Sequence, residues 1–289
     1  MSTPRDFKAE YQAYMKEYPY QTMQVNGIPV RYQFGGKEGA PVMVFFHGLE
    51  MQEMWMPYVM HFRENYRFLI YEYPFHTTKL AEQVEFTYAV LQKLSIPKVI
   101  LVGSSDGGVY AQMFAKMFPQ AVQAMILMTT LTLDSDYVRD IRKERFIMPI
   151  YSFLLKVVPA KTELNLLLKK SDGFLACESP ENQVYGKGFY ETVAMDLNYK
   201  QRFIHSVKCV YYLKDCKYFE KKDFESLRGK IQVLVPENDI FKKEDQQRLV
   251  NLFKDLDAQI LDVPGGHVGF IVQAEEYMEK MDRFLEKIL

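Results

Sequence analysis

The sequence predicts an α/β protein in which a mostly parallel sheet is covered by helices on both faces. Short, continuous apolar runs such as residues 42–46 and 99–102 are typical of strands that are buried on both sides. These runs alternate with segments whose apolar residues recur every three or four positions, which is the helical period. Strands and helices that alternate in this way are joined by crossovers, so the strands lie parallel.

The individual elements follow one another at short intervals. The Asn26-Gly27 pair predicts a tight turn between two strands, at residues 23–25 and 28–32. Buried strands are then predicted at residues 42–46, 68–71, 99–102 and 124–128, and helices at residues 80–94 and 109–118. The alternation returns near the C-terminus, with strands at residues 231–235 and 259–263 and helices at residues 243–253 and 273–288.

Between residues 133 and 224 the alternation of strands and helices stops. This stretch carries helical patches at residues 148–158, 162–169 and 190–212, without a strand pattern. No Gly/Ser-rich linker separates it from the rest of the chain. We therefore predict one domain with a helical cap inserted after the sixth strand: a first core part at residues 1–132, the cap at residues 133–224 and a second core part at residues 225–289.

Composition and charge describe a globular protein and exclude several classes of function. Apolar residues make up 48% of the chain and the formal net charge is −1, so neither disorder nor a nucleic-acid-binding surface is indicated. No apolar run reaches the roughly 20 residues that span a bilayer, and the N-terminus is too polar for a signal peptide. The three cysteines are an odd number and show no metal-ligand spacing, so we expect reduced thiols. These features together predict a cytoplasmic protein, and neither a metal nor another cofactor is expected.

The sequence Gly103-Ser104-Ser105-Asp106-Gly107-Gly108 lies directly between a predicted strand and a predicted helix. Gly-x-Ser-x-Gly in that position is typical of a nucleophile elbow, a turn so tight that its flanking positions must lack side-chain bulk. The central serine is held up out of the turn, and the helix N-terminus behind it stabilises nearby negative charge. We therefore predict Ser105 as a nucleophile; the alternative is an ordinary glycine-rich turn.

Three other interpretations of this turn fit its residues less well. A phosphate-binding loop ends in Gly-Lys-Ser/Thr and a dinucleotide site needs Gly-x-Gly-x-x-Gly, and neither pattern is present. A frame shifted by one residue would make Asp106 the nucleophile, but it would put Ser104 where the first glycine belongs. The Gly107-Gly108 pair also fits the usual ending only when Ser105 is central.

A serine hydroxyl needs a base to take its proton, and the base needs an acid to orient it. On a sheet of this kind the acid and then the histidine follow the serine along the chain, each just past a late strand. Asp239 and His267 both lie just past such a strand, the histidine in a Gly-Gly-His loop. We predict Asp239 as the acid and His267 as the base; Glu237 is the fallback acid, and Asp262 is less favoured because it lies inside a strand.

An oxyanion intermediate also needs hydrogen-bond donors. The backbone N–H of Asp106, which follows the nucleophile, supplies one of them. The second is expected from the loop after the strand at residues 42–46, where His47-Gly48-Leu49 makes the N–H of Leu49 the natural candidate. His47 itself is predicted to be a structural turn residue.

The His-Gly turn, the elbow and the Gly-Gly-His loop together resemble the α/β-hydrolase fold superfamily over essentially the whole chain. Within it, Tyr71-Glu72-Tyr73-Pro74 and the Met-Pro-Ile-Tyr-Ser-Phe-Leu-Leu-Lys run at residues 148–156 are similar to the maspardin-like group. Two features depart from the common pattern: the loop after the Tyr71 strand is short, and Pro236 stands where many relatives carry glycine. The resemblance implies a hydrolase fold with a Ser-His-Asp triad.

Two hypotheses of different class follow. The first is a carboxylesterase-like serine hydrolase that cleaves a small or medium apolar acyl ester or thioester through an acyl-enzyme on Ser105; carbon–carbon bond hydrolysis with the same triad stays open. The second, implied by the maspardin-like resemblance, is a protein-binding role on a hydrolase scaffold. The complete triad favours the hydrolase. Apolar residues of the cap would line its pocket or form the cap's own core: Phe146, Met148, Phe153, Leu154, Phe189 and Tyr190.

Overall fold

The computed structural model of the chain describes residues 5–143, 147–196 and 198–289. Within these residues one sheet is formed by β1 (Gln21–Val25), β2 (Ile28–Gly36), β3 (Val42–Phe46), β4 (Arg67–Tyr71), β5 (Val99–Ser104), β6 (Val122–Met128), β7 (Ile231–Asn238) and β8 (Gln259–Gly266). The strand order is β1-β2-β4-β3-β5-β6-β7-β8. β2 runs antiparallel to both of its neighbours, and all other pairs are parallel. The predicted mostly parallel sheet is confirmed.

The helices of the described residues cover the sheet and build the insertion. Those of the core are α1 (Phe7–Glu17), α2 (Met56–Phe62), α3 (Leu80–Lys93), α4 (Asp106–Met117), α10 (Lys243–Phe253), α11 (Gly269–Val272) and α12 (Ala274–Ile288). Those between β6 and β7 are α5 (Ser135–Lys143), α6 (Ile147–Val157), α7 (Ala160–Phe174), α8 (Pro180–Met195) and α9 (Tyr199–Tyr212). No helix among the described residues is long and apolar enough to cross a membrane.

Alternating side chains of the central strands build two hydrophobic cores, one on each face of the sheet. In β3, Val44 and Phe46 join the core that includes residues of α3, α4 and α10. Met43 and Phe45 join the opposite core, with residues of α1, α2 and α12. Because successive side chains of a strand point to opposite faces, a run that is apolar at every position marks a strand covered on both sides.

Local sequence explains several of the boundaries. Asn26 and Gly27 have φ values of 51° and 79°, the left-handed conformation that a two-residue hairpin turn requires at both central positions. α1, which the sequence pattern did not predict, begins after Asp6, whose carboxylate accepts hydrogen bonds from the N–H groups of Lys8 and Ala9. Its buried residues include Phe7 at the first turn.

The predicted boundaries differ from the structure at three functionally relevant places. α4 begins at Asp106, three residues earlier than predicted, so the nucleophile position is its N-cap. β7 and β8 continue to Asn238 and Gly266, directly up to the predicted acid and base. The patch at residues 190–212, predicted as one helix, belongs to α8 and α9, because Asp196 leaves the helical conformation with ψ 121° and accepts the N–H of Asn198.

The helices α5 to α9 begin beyond the carboxyl end of β6, the edge at which the parallel strands β5, β7 and β8 also end. Open α/β sheets bind their ligands at that edge. The insertion and the loops after β3, β5, β7 and β8 therefore surround one region of the molecule.

Candidate active site

Ser105 lies in a strained turn between β5 and α4. Its φ and ψ are 55° and −131°, a region that non-glycine residues rarely adopt and that costs of order 1–3 kcal/mol. A side chain at Gly103 would meet the backbone of Gly107 and Gly108 at 2.7 Å, and one at Gly107 would collide with the carbonyl oxygen of Phe46. The glycines therefore allow the close approach of β3, β5 and α4 that raises Ser105 toward the end of the sheet.

A chain of hydrogen bonds runs from Asp239 through His267 to Ser105. Asp239 Oδ1 lies 2.8 Å from Nδ1 of His267, and Nε2 of His267 lies 3.2 Å from Oγ of Ser105. The two alternative acids lie elsewhere, since the side chains of Glu237 and Asp262 are exposed to solvent. The structure thus brings together the three residues that the sequence singled out.

The imidazole of His267 is held in a largely apolar enclosure. Only 1% of the Asp239 side chain and 13% of the His267 side chain are exposed. The N–H of Phe241 donates to Asp239 Oδ1 at 3.2 Å, and the ring of Phe241 packs edge-on against the imidazole with 5.0 Å between centroids. A buried carboxylate facing Nδ1 keeps the proton on that nitrogen, which leaves Nε2 free to accept the proton of the serine.

The loop at residues 47–53 packs against the elbow. A side chain at Gly48 would come within 2.7 Å of Cβ of Ser105. The N–H of Leu49 points toward the elbow, and in the structure it donates to Oδ1 of Asp106 at 2.9 Å. Burial raises the pKa of Asp106 to about 6, against the lowering effect of hydrogen bonds from the backbone N–H groups of Leu49 and of Asp106 itself. Both predicted oxyanion donors therefore face the carboxyl group of Asp106.

His47 lies beneath this loop rather than at the reacting atoms. Its ring stacks on Tyr73 with 4.2 Å between centroids, and its backbone N–H donates to the Tyr73 hydroxyl at 3.2 Å. Burial lowers the pKa of His47 to about 3, so the imidazole is neutral. These contacts support the structural role that the sequence predicts for it.

A partly open cavity of about 250 Å³ adjoins Ser105 and His267. Among the described residues that line it, Asp106 supplies the one carboxylate and His267 the one imidazole, and most of the others are apolar. The insertion contributes side chains from four of its helices: Tyr137, Leu167, Phe174, Phe189, Tyr190 and Val210. A site that is mostly apolar with a few polar groups is typical of ligand pockets.

The cap residues that the sequence proposed for this pocket divide into three groups. Phe189 and Tyr190 line the cavity. Phe153 and Leu154 do not; they lie on the outer face of α6, where 63% and 49% of their surfaces are exposed, so their expected place in the pocket is wrong. Helical spacing shows which residues share a face, but it does not show which face is turned inward. Phe146 and the side chain of Met148 lie outside the described residues.

A buried polar network that the sequence pattern did not predict joins α9 to the 47–53 loop. Arg202 Nη1 donates to the carbonyl oxygen of Glu50 at 2.7 Å, and Nη2 to Oε1 of Glu53 at 2.8 Å. His205 Nδ1 forms a hydrogen bond with Oε1 of Glu50, and Nε2 lies 2.6 Å from the carbonyl oxygen of Thr77. The signal in the sequence was Arg202 and His205 three positions apart in α9, on the buried side that also carries Tyr199, Ser206 and Cys209.

This network has the contacts of a hydrogen-bonded ion pair rather than of a metal centre. Glu50, His205 and Cys209 offer potential ligand atoms within 4.8 Å of one another. Both imidazole nitrogens of His205, however, already lie within hydrogen-bond distance of oxygens, Nδ1 of the Glu50 carboxyl group and Nε2 of the Thr77 carbonyl group. Two ligand atoms that each lie about 2.0–2.2 Å from a zinc ion would instead be separated by roughly 3.3 Å. Burial raises the pKa of Glu50 to about 7. For His205, burial lowers the pKa, but hydrogen bonds to Cys209 and Glu50 outweigh it and raise the pKa to about 10.

Comparison with known proteins identifies the architecture. A family model described as the alpha/beta hydrolase fold matches residues 41–274. No curated protein sequence matches the chain.

Among solved structures, the chain is similar to the enol-lactonase from Burkholderia xenovorans LB400 (TM-score 0.68, 14% identity, 92% of this chain and 100% of that one). It is also similar to a meta-cleavage product hydrolase from Pseudomonas fluorescens IP01 (TM-score 0.69, 16% identity, 92% and 97%). A third is naproxen esterase from Bacillus subtilis (TM-score 0.60, 16% identity, 97% and 97%). At these identities the likeness concerns the fold.

Proposed function

This chain belongs to the α/β-hydrolase fold family, and we propose that it is a serine hydrolase that cleaves an apolar acyl ester or thioester. The proposal rests above all on the continuous hydrogen-bond chain from Asp239 through His267 to Ser105. The proposal is also supported by the names of the solved structures that the chain resembles, which include an enol-lactonase, a meta-cleavage product hydrolase and a naproxen esterase. The maspardin-like alternative would use the same scaffold to bind a protein without turnover.

The geometry supports a two-step mechanism. Ser105 Oγ attacks the acyl carbonyl carbon while its proton passes to Nε2 of His267, 3.2 Å away. The tetrahedral intermediate collapses when the imidazolium returns that proton to the leaving alcohol or thiol, which leaves the acyl group on Ser105. Water then attacks the acyl-enzyme and gives a proton to His267. The second tetrahedral intermediate collapses, His267 returns that proton to Ser105 Oγ, and the carboxylic acid leaves. Asp239 stabilises the imidazolium at each step through Nδ1.

The developing oxyanion would be bound by the backbone N–H groups of Leu49 and Asp106. Because the Leu49 N–H donates to Asp106 Oδ1, the carboxyl group of Asp106 has to release that donor before it can bind a substrate oxygen. Burial raises the pKa of Asp106 to about 6, so more of this carboxyl group is neutral near that pH than for an ordinary aspartate. The neutral form is easier to displace than a carboxylate and repels a negative intermediate less.

The cavity favours a compact apolar acyl group. Its volume of about 250 Å³ lies just below the roughly 300–1,000 Å³ of typical ligand pockets. We expect p-nitrophenyl esters with short-to-medium acyl chains to be hydrolysed by the wild type and not by Ser105→Ala. A preference for charged or very long acyl chains would contradict binding of the acyl group in this small apolar pocket.

Two neighbouring leucines of α7 test whether this cavity holds the acyl chain. Leu167 lines the cavity, whereas 52% of the adjacent Leu166 is exposed. Leu167→Ala should move the best acyl chain toward longer esters by two or more carbons, since it removes lining atoms. Leu166→Ala is the matched control and should keep the wild-type chain-length profile, measured as kcat/KM along the ester series. An unchanged profile in Leu167→Ala would mean that the acyl group binds elsewhere.

A further inference from the structure

The 47–53 loop, which carries the Leu49 N–H, is strained. Leu49 and Glu50 are consecutive non-glycine residues with φ values of 47° and 54°. Left-handed conformations at such residues are unfavourable and persist only where surrounding contacts impose them. The contacts that hold this loop therefore decide where the Leu49 N–H points.

Besides the hydrogen bond from the Leu49 N–H to Asp106, the loop is held by α9, a helix of the insertion. Arg202 binds the loop twice, through the carbonyl oxygen of Glu50 and through a two-pronged contact with the Glu53 carboxylate. Its side chain is 1% exposed, that of Glu53 3%. A planar guanidinium that contacts both groups fixes their relative position as well as their distance.

His205, one turn further along α9, holds the side chain of Glu50. Its Nδ1 bonds to the carboxyl group of Glu50, and its Nε2–H donates to the carbonyl oxygen of Thr77 in the segment between β4 and α3. The imidazole thus joins the strained loop to the core of the protein. Together with Arg202, it holds both the backbone and the side chain of Glu50, the residue next to Leu49.

We propose that Arg202 and His205 are positioning residues, through which α9 holds the strained 47–53 loop so that the Leu49 N–H can bind the oxyanion. This inference rests on the proposed function and extends it: the insertion shapes the pocket and also sets the geometry of the oxyanion donor. Neither side chain touches substrate, since neither lines the cavity.

Loss of a positioning residue should weaken binding of the transition state and leave binding of the substrate nearly unchanged. A misplaced oxyanion donor lowers kcat and leaves KM nearly unchanged, because the interaction is made only in the transition state. An alkyl trifluoromethyl ketone reports on the same interaction. Ser105 Oγ adds to its carbonyl carbon, the proton passes to His267, and the resulting hemiketal oxygen carries the negative charge that Leu49 would bind.

The test compares Arg202→Lys and His205→Gln with two controls in the same helix region. Arg202→Lys keeps the positive charge but loses the planar guanidinium that contacts both Glu50 and Glu53. Gln201→Ala changes an exposed position of α9, and Leu213→Ala removes a buried apolar side chain just beyond it. We expect the first two variants to lose roughly 10- to 100-fold in both kcat and trifluoromethyl ketone affinity, with KM within about twofold of wild type; complete loss of a donor costs about 10²–10³. Both control variants should match wild type in kcat, in KM and in affinity for the ketone.

Three results of this experiment would overturn a claim made above. If Arg202→Lys and His205→Gln bind the ketone as tightly as wild type, the loop is positioned without α9 and the inference is wrong. A rise in KM with unchanged kcat would overturn it too, because that pattern belongs to a pocket residue. Should Arg202→Lys fail to fold, His205→Gln carries the comparison, since its amide can still donate to Thr77 or Glu50. A wild-type protein that does not bind the ketone would instead overturn the proposed function.

Discussion

Replacement of His267 with alanine is expected to lower kcat for ester hydrolysis by about 10⁵-fold. Among the described residues, the imidazole is the one group within hydrogen-bond distance of Ser105 Oγ that can take its proton. Loss of the base in a triad of this kind removes most of the rate enhancement. The measurement is kcat for a p-nitrophenyl ester, together with thermal unfolding to show that the variant is folded.

A matched control separates the loss of the base from the loss of any histidine. His61 is an exposed residue of α2 that pairs with Asp282 on the surface, and His61→Ala should retain wild-type kcat. If folded His267→Ala kept more than about a hundredth of the wild-type rate, His267 would not be the base.

Asp239→Asn is expected to lower kcat by about 10⁴-fold. An amide can donate to Nδ1 of His267, which would favour the tautomer with its proton on Nε2, the nitrogen that must accept the proton of Ser105. The imidazolium would also lose its buried negative partner. Steady-state kinetics on the same ester series measure this effect.

Glu237→Gln provides the comparison for the acid. Glu237 is exposed and only two residues away, so it shares the segment but not the hydrogen bond to His267. Its variant should stay within about twofold of wild type. The reverse pattern, a severe loss in Glu237→Gln with near-full activity in Asp239→Asn, would show that the acid is Glu237.

Much of the site could be predicted because it is encoded locally. Gly103 and Gly107 mark the elbow, since only a residue without a side chain fits the close approach of β3 and α4. Asp239 and His267 could be found because each immediately follows a strand, and the ends of parallel strands meet at one edge of the sheet. Such features depend on neighbours in sequence and on the general geometry of α/β sheets.

The remaining parts depend on contacts between distant segments. Leu49 could be named as a donor from the His-Gly turn, but its hydrogen bond to Asp106 joins residues 57 positions apart. The contact between Arg202 and Glu50 spans 152 positions. Nothing in the local pattern of α9 shows which buried carbonyl or carboxylate its polar residues meet.

The orientation of α6 shows the same limit. Ile150, Phe153, Leu154 and Val157 follow a helical period, which predicts the helix and one common apolar face. All four are exposed in the structure, while Leu155 is buried. Periodicity predicts that such a face exists, and the packing of the whole insertion decides whether it turns inward.

The central claim, that Ser105 is an activated nucleophile, is tested most directly by covalent labelling with a fluorophosphonate followed by peptide mass spectrometry. The hydroxyl of an activated serine displaces fluoride from phosphorus, and the adduct is located without knowledge of the natural substrate. We expect a single adduct on Ser105, its absence in Ser105→Ala, and much slower formation in His267→Ala. Folded wild-type protein that forms no adduct, or that carries the label on another residue, would contradict the assignment of Ser105 as the nucleophile.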